Sequence, residues 1–189
     1  ISGPNGVPDG VVDENDRKVL DGRLPDFEYT VNLAASWKGF DLSLMGQGVQ
    51  GVKHYASGWG LRPFYQGSPI SQDYIDNMWT EEHTDAKYPR LYFADLGGAK
   101  NQRESTYWLY NASYFRLKNL TFGYTLPKAL TSKAKIERLR FYFSGDNLLT
   151  ITKFPQGGDP ERNYNSTKST RLVYYPQNRI ISFGVNLEF

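Results

Sequence analysis

The chain has 189 residues, and its 22 basic and 20 acidic residues leave a formal net charge of +2. These charges are mixed along the chain rather than gathered in a basic stripe, which argues against nucleic acid as a partner, and the absence of cysteine excludes a disulfide framework or a thiolate metal site. No apolar run approaches the roughly 18 residues of a membrane-spanning helix, so a helical membrane protein is excluded.

Residues 1–25 are predicted to form a loop, and its start at Ile1 predicts that the sequence is a piece of a longer chain. Three acidic residues of this loop stand at the fifth, ninth and twelfth places of a pattern that resembles a calcium-binding loop: Asp9, Asp13 and Asp16. Oxygen ligands around a turn at Gly10 suit Ca²⁺. However, the first and third places hold Asn5 and Val7, so an ordered acidic turn is favoured over calcium. No other cofactor is expected.

The first predicted strand covers residues 26–37, where apolar and polar residues alternate with the period of a strand that has one apolar and one polar face. Its apolar positions are Phe27, Tyr29, Val31, Leu33, Ala35 and Trp37. The length matches the roughly 9–11 residues that a tilted strand needs to cross a bilayer. Lys38 and Gly39 predict a tight hairpin turn, followed by a second strand over residues 40–51. Aromatic residues flank this turn like a girdle.

Residues 52–106 are predicted to form a long outer loop that is rich in aromatic side chains. Aromatic faces stack on the apolar faces of sugar rings, while neighbouring polar groups bond hydroxyls. The candidates for cargo contact are Tyr55, Trp59, Tyr65 and Trp79. The favoured alternative is that most of these rings pack the loop against itself or against a partner protein, because a loop of this length needs its own core.

A short helix is predicted inside this loop, over residues 71–79, with Ser71 as its N-cap. Its apolar stripe consists of Tyr74, Ile75, Met78 and Trp79. A third strand is predicted over residues 107–126. Phe115 and Leu117 fall on the opposite parity from the apolar residues near its end, which predicts a bulge near Lys118-Asn119 or a section standing clear of lipid.

The fourth strand is predicted over residues 138–152, where Arg138 and Arg140 alternate with bulky apolar residues, as suits the wall of a water-filled lumen. A long outer loop over residues 153–177 leads to a last strand over residues 178–189. An aromatic final residue on the apolar face of such a strand is typical of an outer-membrane barrel, whose assembly machinery reads this signal. The signal residues are Phe183, Val185, Leu187 and Phe189.

Short and long connections alternate along the five predicted strands, as they do between the periplasmic turns and extracellular loops of outer-membrane barrels. Five strands cannot close a barrel, because single-chain barrels begin at about eight strands. The expected fold is therefore all-β, with the C-terminal five strands of a transmembrane antiparallel barrel in this chain and the missing strands N-terminal to it.

Seven segments carry a resemblance to known proteins. In chain order they are Gly10–Arg17, Trp37–Leu42, Trp79–His83, Ala86–Leu91, Tyr114–Pro127, Leu139–Thr152 and Tyr175–Phe189. They cover most of the chain, and they closely resemble, in the same order, segments of the SusC/RagA family of TonB-dependent outer-membrane transporters of Bacteroidetes.

The resemblance implies a 22-stranded barrel filled by an N-terminal plug domain, in the outer membrane of a Gram-negative bacterium. It also implies energy from the TonB complex, a SusD-like surface lipoprotein as partner, and an oligosaccharide or peptide as cargo. The plug, the TonB-contacting segment and a signal peptide are not expected within residues 1–189, which form part of one barrel domain.

Two other functions stay open from the residues alone. A soluble β-sandwich that binds carbohydrate through exposed aromatic residues would lack a lipid-facing belt, and a passive porin would need neither a plug nor a partner. An enzyme is not expected. His54 and His83 are the only histidines, and no nucleophile elbow or phosphate-binding loop is present.

Overall fold

The computed structural model describes residues 7–11, 13–20, 24–55, 63–64, 69–91, 105–155, 158–161 and 176–189. Its strands are β1 (Phe27–Trp37), β2 (Phe40–Gln50), β3 (Lys53–Tyr55), β4 (Leu109–Asn111), β5 (Tyr114–Thr125), β6 (Arg138–Thr152) and β7 (Ile180–Glu188). Its α-helices are α1 (Gln72–Asn77) and α2 (Lys128–Thr131). Short 3₁₀ helices cover Glu14–Asp16, Thr106–Trp108 and Ser132–Ala134. No described helix is long and apolar enough to cross a membrane.

Five strands form one antiparallel sheet in the order β1-β2-β5-β6-β7, and β3 pairs with β4 in a separate two-stranded sheet. The long strands lie within the ranges that the alternation predicted. The prediction of one continuous strand over 107–126 is wrong at its start, because β4 leaves the main sheet to pair with β3. The backbone N–H of Ser113 donates to Oδ1 of Asn111 at 2.9 Å, a side-chain turn that separates β4 from β5.

The hairpin between β1 and β2 has the turn that its sequence predicts. Lys38 and Gly39 have φ angles of 47° and 89°, and Trp37 pairs directly with Phe40 across the turn. Positive φ at both central residues is the mark of a type I′ turn, whose twist matches that of the flanking strands. This turn and the connection over residues 127–137 lie at the same end of the strands, since the Thr125 N–H donates to the Gly39 carbonyl at 2.8 Å. We call this end of the sheet the turn edge, and the opposite end of the strands the loop edge.

The predicted bulge in β5 is confirmed, and Lys118 is the extra residue. Leu117 pairs with Gly46 and Asn119 pairs with Met45, so adjacent residues of β2 are opposed by residues two apart in β5. The register against β6 shifts at the same place. The bulge therefore returns Phe115 and Leu117 to the apolar face, which explains the change of parity along this strand.

One face of the five-stranded sheet is apolar and exposed, and the other is polar. Directly paired residues share a face, and the registers join the apolar positions of all five strands into one belt. Leu33, Phe141 and Phe183 in this belt are 59%, 47% and 81% exposed. On the polar face, Nε of Arg140 donates to Oδ1 of Asp41 at 2.9 Å. The sheet thus has the two-faced pattern of a barrel wall.

A buried apolar cluster closes the loop edge of the sheet. Its members are Val49, Val52, Ala112, Tyr114 and Phe154, with Tyr110 packed against them. Ala112 is fully buried, and its N–H donates to the Val52 carbonyl at 2.9 Å. This contact fixes the paired strands β3 and β4 above the end of the main sheet.

Candidate functional site

The segment over residues 69–91 has a small core built on α1. Ser71 caps the helix as predicted, since its Oγ accepts the N–H of Tyr74 at 3.2 Å. Tyr74 is buried and its ring stacks on Tyr88 with centroids 4.5 Å apart. The helix ends at Asn77, earlier than predicted, because Met78 is already extended.

The predicted apolar stripe of α1 is therefore only partly present. Tyr74 is buried, but Ile75 is 42% exposed, and Met78 and Trp79 lie beyond the helix. A helix of this length cannot carry a stripe over two turns, so Tyr74 alone anchors it. The Tyr74 hydroxyl donates to the Pro89 carbonyl at 3.0 Å, and burial is the main cause that raises its pKa to about 12.

A charged group borders this core. Asp73 Oδ2 accepts hydrogen bonds from Lys87 Nζ at 2.7 Å and from the Tyr88 hydroxyl at 2.6 Å. The bond from Lys87 is the main cause that holds the pKa of Asp73 below its usual range, and the bond from Tyr88 is the next. The bond to Asp73 likewise raises the pKa of Lys87. Both charged side chains are more than half exposed, so the pair orients the loop more than it stabilises it.

Beside this core lies an open pocket of about 500 Å³. Its lining residues are Trp79, Ala86, Tyr88, Pro89, Arg90, Ser105 and Tyr107. The guanidinium of Arg90 stands 5.8 Å from the centroid of the Trp79 ring, and the Tyr107 hydroxyl donates to the Lys87 carbonyl. Aromatic walls with a cation and a hydroxyl at hand suit a sugar ring or a peptide.

The four predicted cargo-contact residues separate in the structure. Trp79 lines the pocket, whereas Tyr55 lies half-buried in β3, opposite Leu109, and is not part of the lining. Trp59 and Tyr65 lie outside the described residues. The cargo contacts of all four stay predictions. Arg90 and Tyr107 did not enter the sequence prediction, because nothing in their spacing connects them with Trp79.

A buried ionic network, which no pattern in the sequence predicts, lies on the polar face near the loop edge. Arg116 of β5 is 4% exposed at its side chain and donates from Nη2 to Oδ1 of Asp159 at 2.7 Å, where the Asp159 side chain is 2% exposed. Arg116 also donates from Nη1 to Glu161 at 2.5 Å and from Nε to the Thr150 hydroxyl at 2.9 Å. Lys118 donates to the second oxygen of Glu161.

Asp159 connects two parts of the chain between β6 and β7. Its Oδ1 accepts the N–H of Glu161 at 3.0 Å, and its Oδ2 accepts the N–H of Gln177 at 2.7 Å. Burial alone would raise the pKa of this carboxyl, but the hydrogen bond from Arg116 and the two backbone N–H groups outweigh it, so the pKa is lowered. A charged Asp159 therefore holds residues on both sides of 162–175 against the wall of the sheet.

The acidic segment near the start is an ordered turn. Asp13 and Asp16 form a reciprocal capping box around Glu14–Asp16, and Asp9 Oδ1 accepts the N–H of Val11 at 2.9 Å. Among the described residues, no group of three His, Asp or Glu side chains is placed to hold a metal ion. The calcium site at Asp9, Asp13 and Asp16 remains an untested prediction.

The four residues of the predicted assembly signal point away from the sheet on its apolar face. Phe183, Val185, Leu187 and Phe189 are 81%, 56%, 47% and 83% exposed. Their exposure makes them available to lipid or to another protein, and their role as an assembly signal stays a prediction.

Comparisons with known proteins agree with this architecture. No family model matches the chain. It is 33% identical, over 95% of its length, to TonB-dependent receptor P3 of Formosa agariphila, and 26% identical, over 96%, to TonB-dependent receptor P26 of the same organism. Its fold matches a chain of the RagAB peptide importer in the open-open state with a TM-score of 0.70 and 26% identity, over 99% of its length. The chain spans only 18% and 19% of the two receptors and 20% of the importer chain.

Proposed function

Since this chain is a piece of a TonB-dependent receptor of the SusC/RagA family, we propose that its parent protein imports a nutrient across the outer membrane of a Gram-negative bacterium. In this proposal the five-stranded sheet is one sector of the barrel wall. A plug domain outside residues 1–189 fills the lumen, and the TonB complex supplies the energy for transport.

The observation that carries this proposal is the exposed apolar belt that crosses all five strands opposite a polar face. A soluble carbohydrate-binding sandwich would cover such a belt with a second sheet, because packed sheets bury their apolar faces against each other. In the described part of the chain, no second sheet lies on the belt, and Leu33 and Phe183 are well exposed. A face of this kind suits contact with the acyl chains of a bilayer.

The loop edge is the side that we assign to the cell exterior. It carries the pocket around Trp79 and the network around Arg116, whereas the turn edge has only short connections. Long extracellular loops and short periplasmic turns are the rule in bacterial barrels. By resemblance to the family, a SusD-like surface lipoprotein is the partner that would cover this edge.

For the cargo we propose a peptide or an oligosaccharide that contacts the pocket around Trp79. The similarity to a peptide importer favours a peptide, and the aromatic walls accept either class. A passive porin is the weaker alternative, because the relatives carry the name of TonB-dependent receptors.

The proposal is tested on the full-length parent in its own host. The membranes are fractionated, and the proteins that copurify in mild detergent are identified by mass spectrometry. We expect recovery in the outer membrane together with a SusD-like lipoprotein. Recovery of the parent as a water-soluble protein without partner would refute the importer and revive the sandwich.

Cargo is tested by uptake of labelled peptides and labelled oligosaccharides in cells that carry the parent gene or lack it. Trp79→Ala should raise the half-saturation concentration of the true cargo by roughly tenfold, the loss expected when one stacking ring is removed. The matched control is Ile75→Ala, an exposed residue of α1 outside the pocket. Equal uptake by both variants and by the wild type would show that the cargo does not depend on contact with this pocket.

A further inference from the structure

A row of aromatic side chains runs across the apolar face just inside the turn edge. Trp37 of β1 pairs with Phe40 of β2, Phe40 with Tyr124 of β5, and Tyr124 with Phe141 of β6. The rings of Phe40 and Tyr124 lie 4.4 Å apart. Rings at one level across four strands are the arrangement found where a barrel meets the headgroup region.

Directly beyond this row, the turn edge carries four exposed lysines. They are Lys38 in the hairpin turn and Lys128, Lys133 and Lys135 in the connection over residues 127–137. The Lys38 ammonium stands 4.7 Å from the centroid of the Trp37 ring, so its charge lies over the ring at the start of the aromatic row.

Most of the other charged side chains of this edge form ion pairs within the sheet. Arg140 is paired with Asp41, and Arg138 with Glu188 at 3.7 Å. The four lysines form no ion pair among the described residues, and Glu137 is the acidic residue of the connection over 127–137. The edge therefore presents an excess of free positive charge next to an aromatic row.

An exposed leucine lies among the lysines. Leu130 in α2 is 65% exposed, between Lys128 and Lys133 in the sequence. A small soluble anion such as inorganic phosphate would gain nothing from this apolar side chain or from the exposed rings. A lipid offers both chemistries at once, with acyl chains for the rings and Leu130 and a phosphate for the ammonium groups.

We propose that the turn edge is a binding site for the headgroups of anionic phospholipids in the adjoining leaflet. The inference rests on the proposed membrane location and adds a lipid preference that an apolar belt alone does not require. The lysines contact the headgroup phosphates, and the aromatic row from Trp37 to Phe141 sets the depth at which they do so.

The test uses the full-length parent in nanodiscs of equal parts phosphatidylglycerol and phosphatidylcholine, with the retained lipids counted by native mass spectrometry. The triple variant Lys128→Gln, Lys133→Gln and Lys135→Gln should lower the retention of phosphatidylglycerol relative to phosphatidylcholine by about tenfold or more. The control variant removes the same charge from exposed lysines elsewhere: Lys18→Gln, Lys53→Gln and Lys153→Gln. It should change the ratio by less than about twofold.

The possible results separate the lipid site from the proposed function. Equal retention of the two lipids by integrated wild-type protein would overturn the lipid site and leave the importer standing. Displacement of phosphatidylglycerol by an excess of inorganic phosphate would also overturn it, because a soluble anion would then suffice. If the wild-type protein failed to enter the bilayer, both the proposed function and the lipid site would fall.

Discussion

Replacing Arg116 with methionine removes its cation from the buried network and leaves a charged Asp159 buried against the sheet. The Asp159 side chain is only 2% exposed, and Arg116 bonds it directly at 2.7 Å. Breaking a buried pair by removing one partner costs about 3–5 kcal/mol. Since about 1.4 kcal/mol corresponds to a tenfold change in an equilibrium constant, this cost should raise the population of the locally open state by roughly 10²- to 10³-fold or more.

Hydrogen exchange of the full-length parent, followed by mass spectrometry, measures this opening. The amides that report it are those of Glu161 and Gln177, because both donate to Asp159. Arg116→Met should accelerate their exchange by that factor. Arg116→Met combined with Asp159→Asn should recover part of the protection at Glu161, since the neutral amide removes the buried charge while its oxygen still accepts the N–H of Glu161.

The matched control is Arg138→Met, which breaks the exposed pair with Glu188. These side chains are 50% and 57% exposed and 3.7 Å apart, so the loss should stay below about 1 kcal/mol. If Arg116→Met left the exchange of Glu161 and Gln177 unchanged, or if the double variant were less protected at Glu161 than the single one, the ionic account of this loop would be wrong.

Three further changes should act at other places. Gly39→Ala places a methyl group 2.7 Å from the Thr125 carbonyl oxygen at a φ of 89°, so it should lower the yield of folded parent in the membrane, as seen by heat-modifiable gel mobility. Ser71→Ala removes the cap on the N–H of Tyr74 and should cost about 1 kcal/mol, measured as faster exchange in α1. Because the pKa of Asp159 in the fold lies below its ordinary value of 3.8, its contribution is complete above about pH 4 and is lost as the pH falls through the lower folded value. Pepsin should therefore begin to cut near residues 158–161 only under strong acid, and Asp159→Asn should abolish that dependence on pH.

The sequence predicted what local patterns control. Strict alternation located the long strands, because a one-residue slip would move every apolar side chain to the wrong face. The hairpin turn followed from Lys38-Gly39, and the parity change before Leu120 predicted a bulge near Lys118-Asn119, which the register confirms. Ser71 was identified as a cap for the same reason, since an N-cap depends only on its neighbours in the chain.

What the sequence did not predict depends on contacts between distant residues. The separation of β4 from β5 depends on the pairing of β4 with β3 and on the burial of Ala112 beside Val52, which is distant in the chain, and nothing in the alternation reveals either contact. Arg116 meets Asp159 across 43 residues of chain. Its position on the polar face follows from the alternation once the bulge is counted, but the identity of its partner does not.

The central claim is that this sheet faces lipid on one side and a polar lumen on the other, and spin labels test it most directly. Residues 1–189 contain no cysteine, so single cysteines are introduced at residues 182, 183, 185, 186 and 187 of β7 in the full-length parent, with any cysteine outside this segment replaced by serine, and are labelled with a nitroxide in the membrane. Gly184 is left in place, because a side chain there would meet the Tyr142 ring. Labels at 183, 185 and 187 should be accessible to oxygen in lipid, and labels at 182 and 186 to a water-soluble relaxation agent. Uniform access of the water-soluble agent at all five positions would contradict the barrel wall and, with it, the importer.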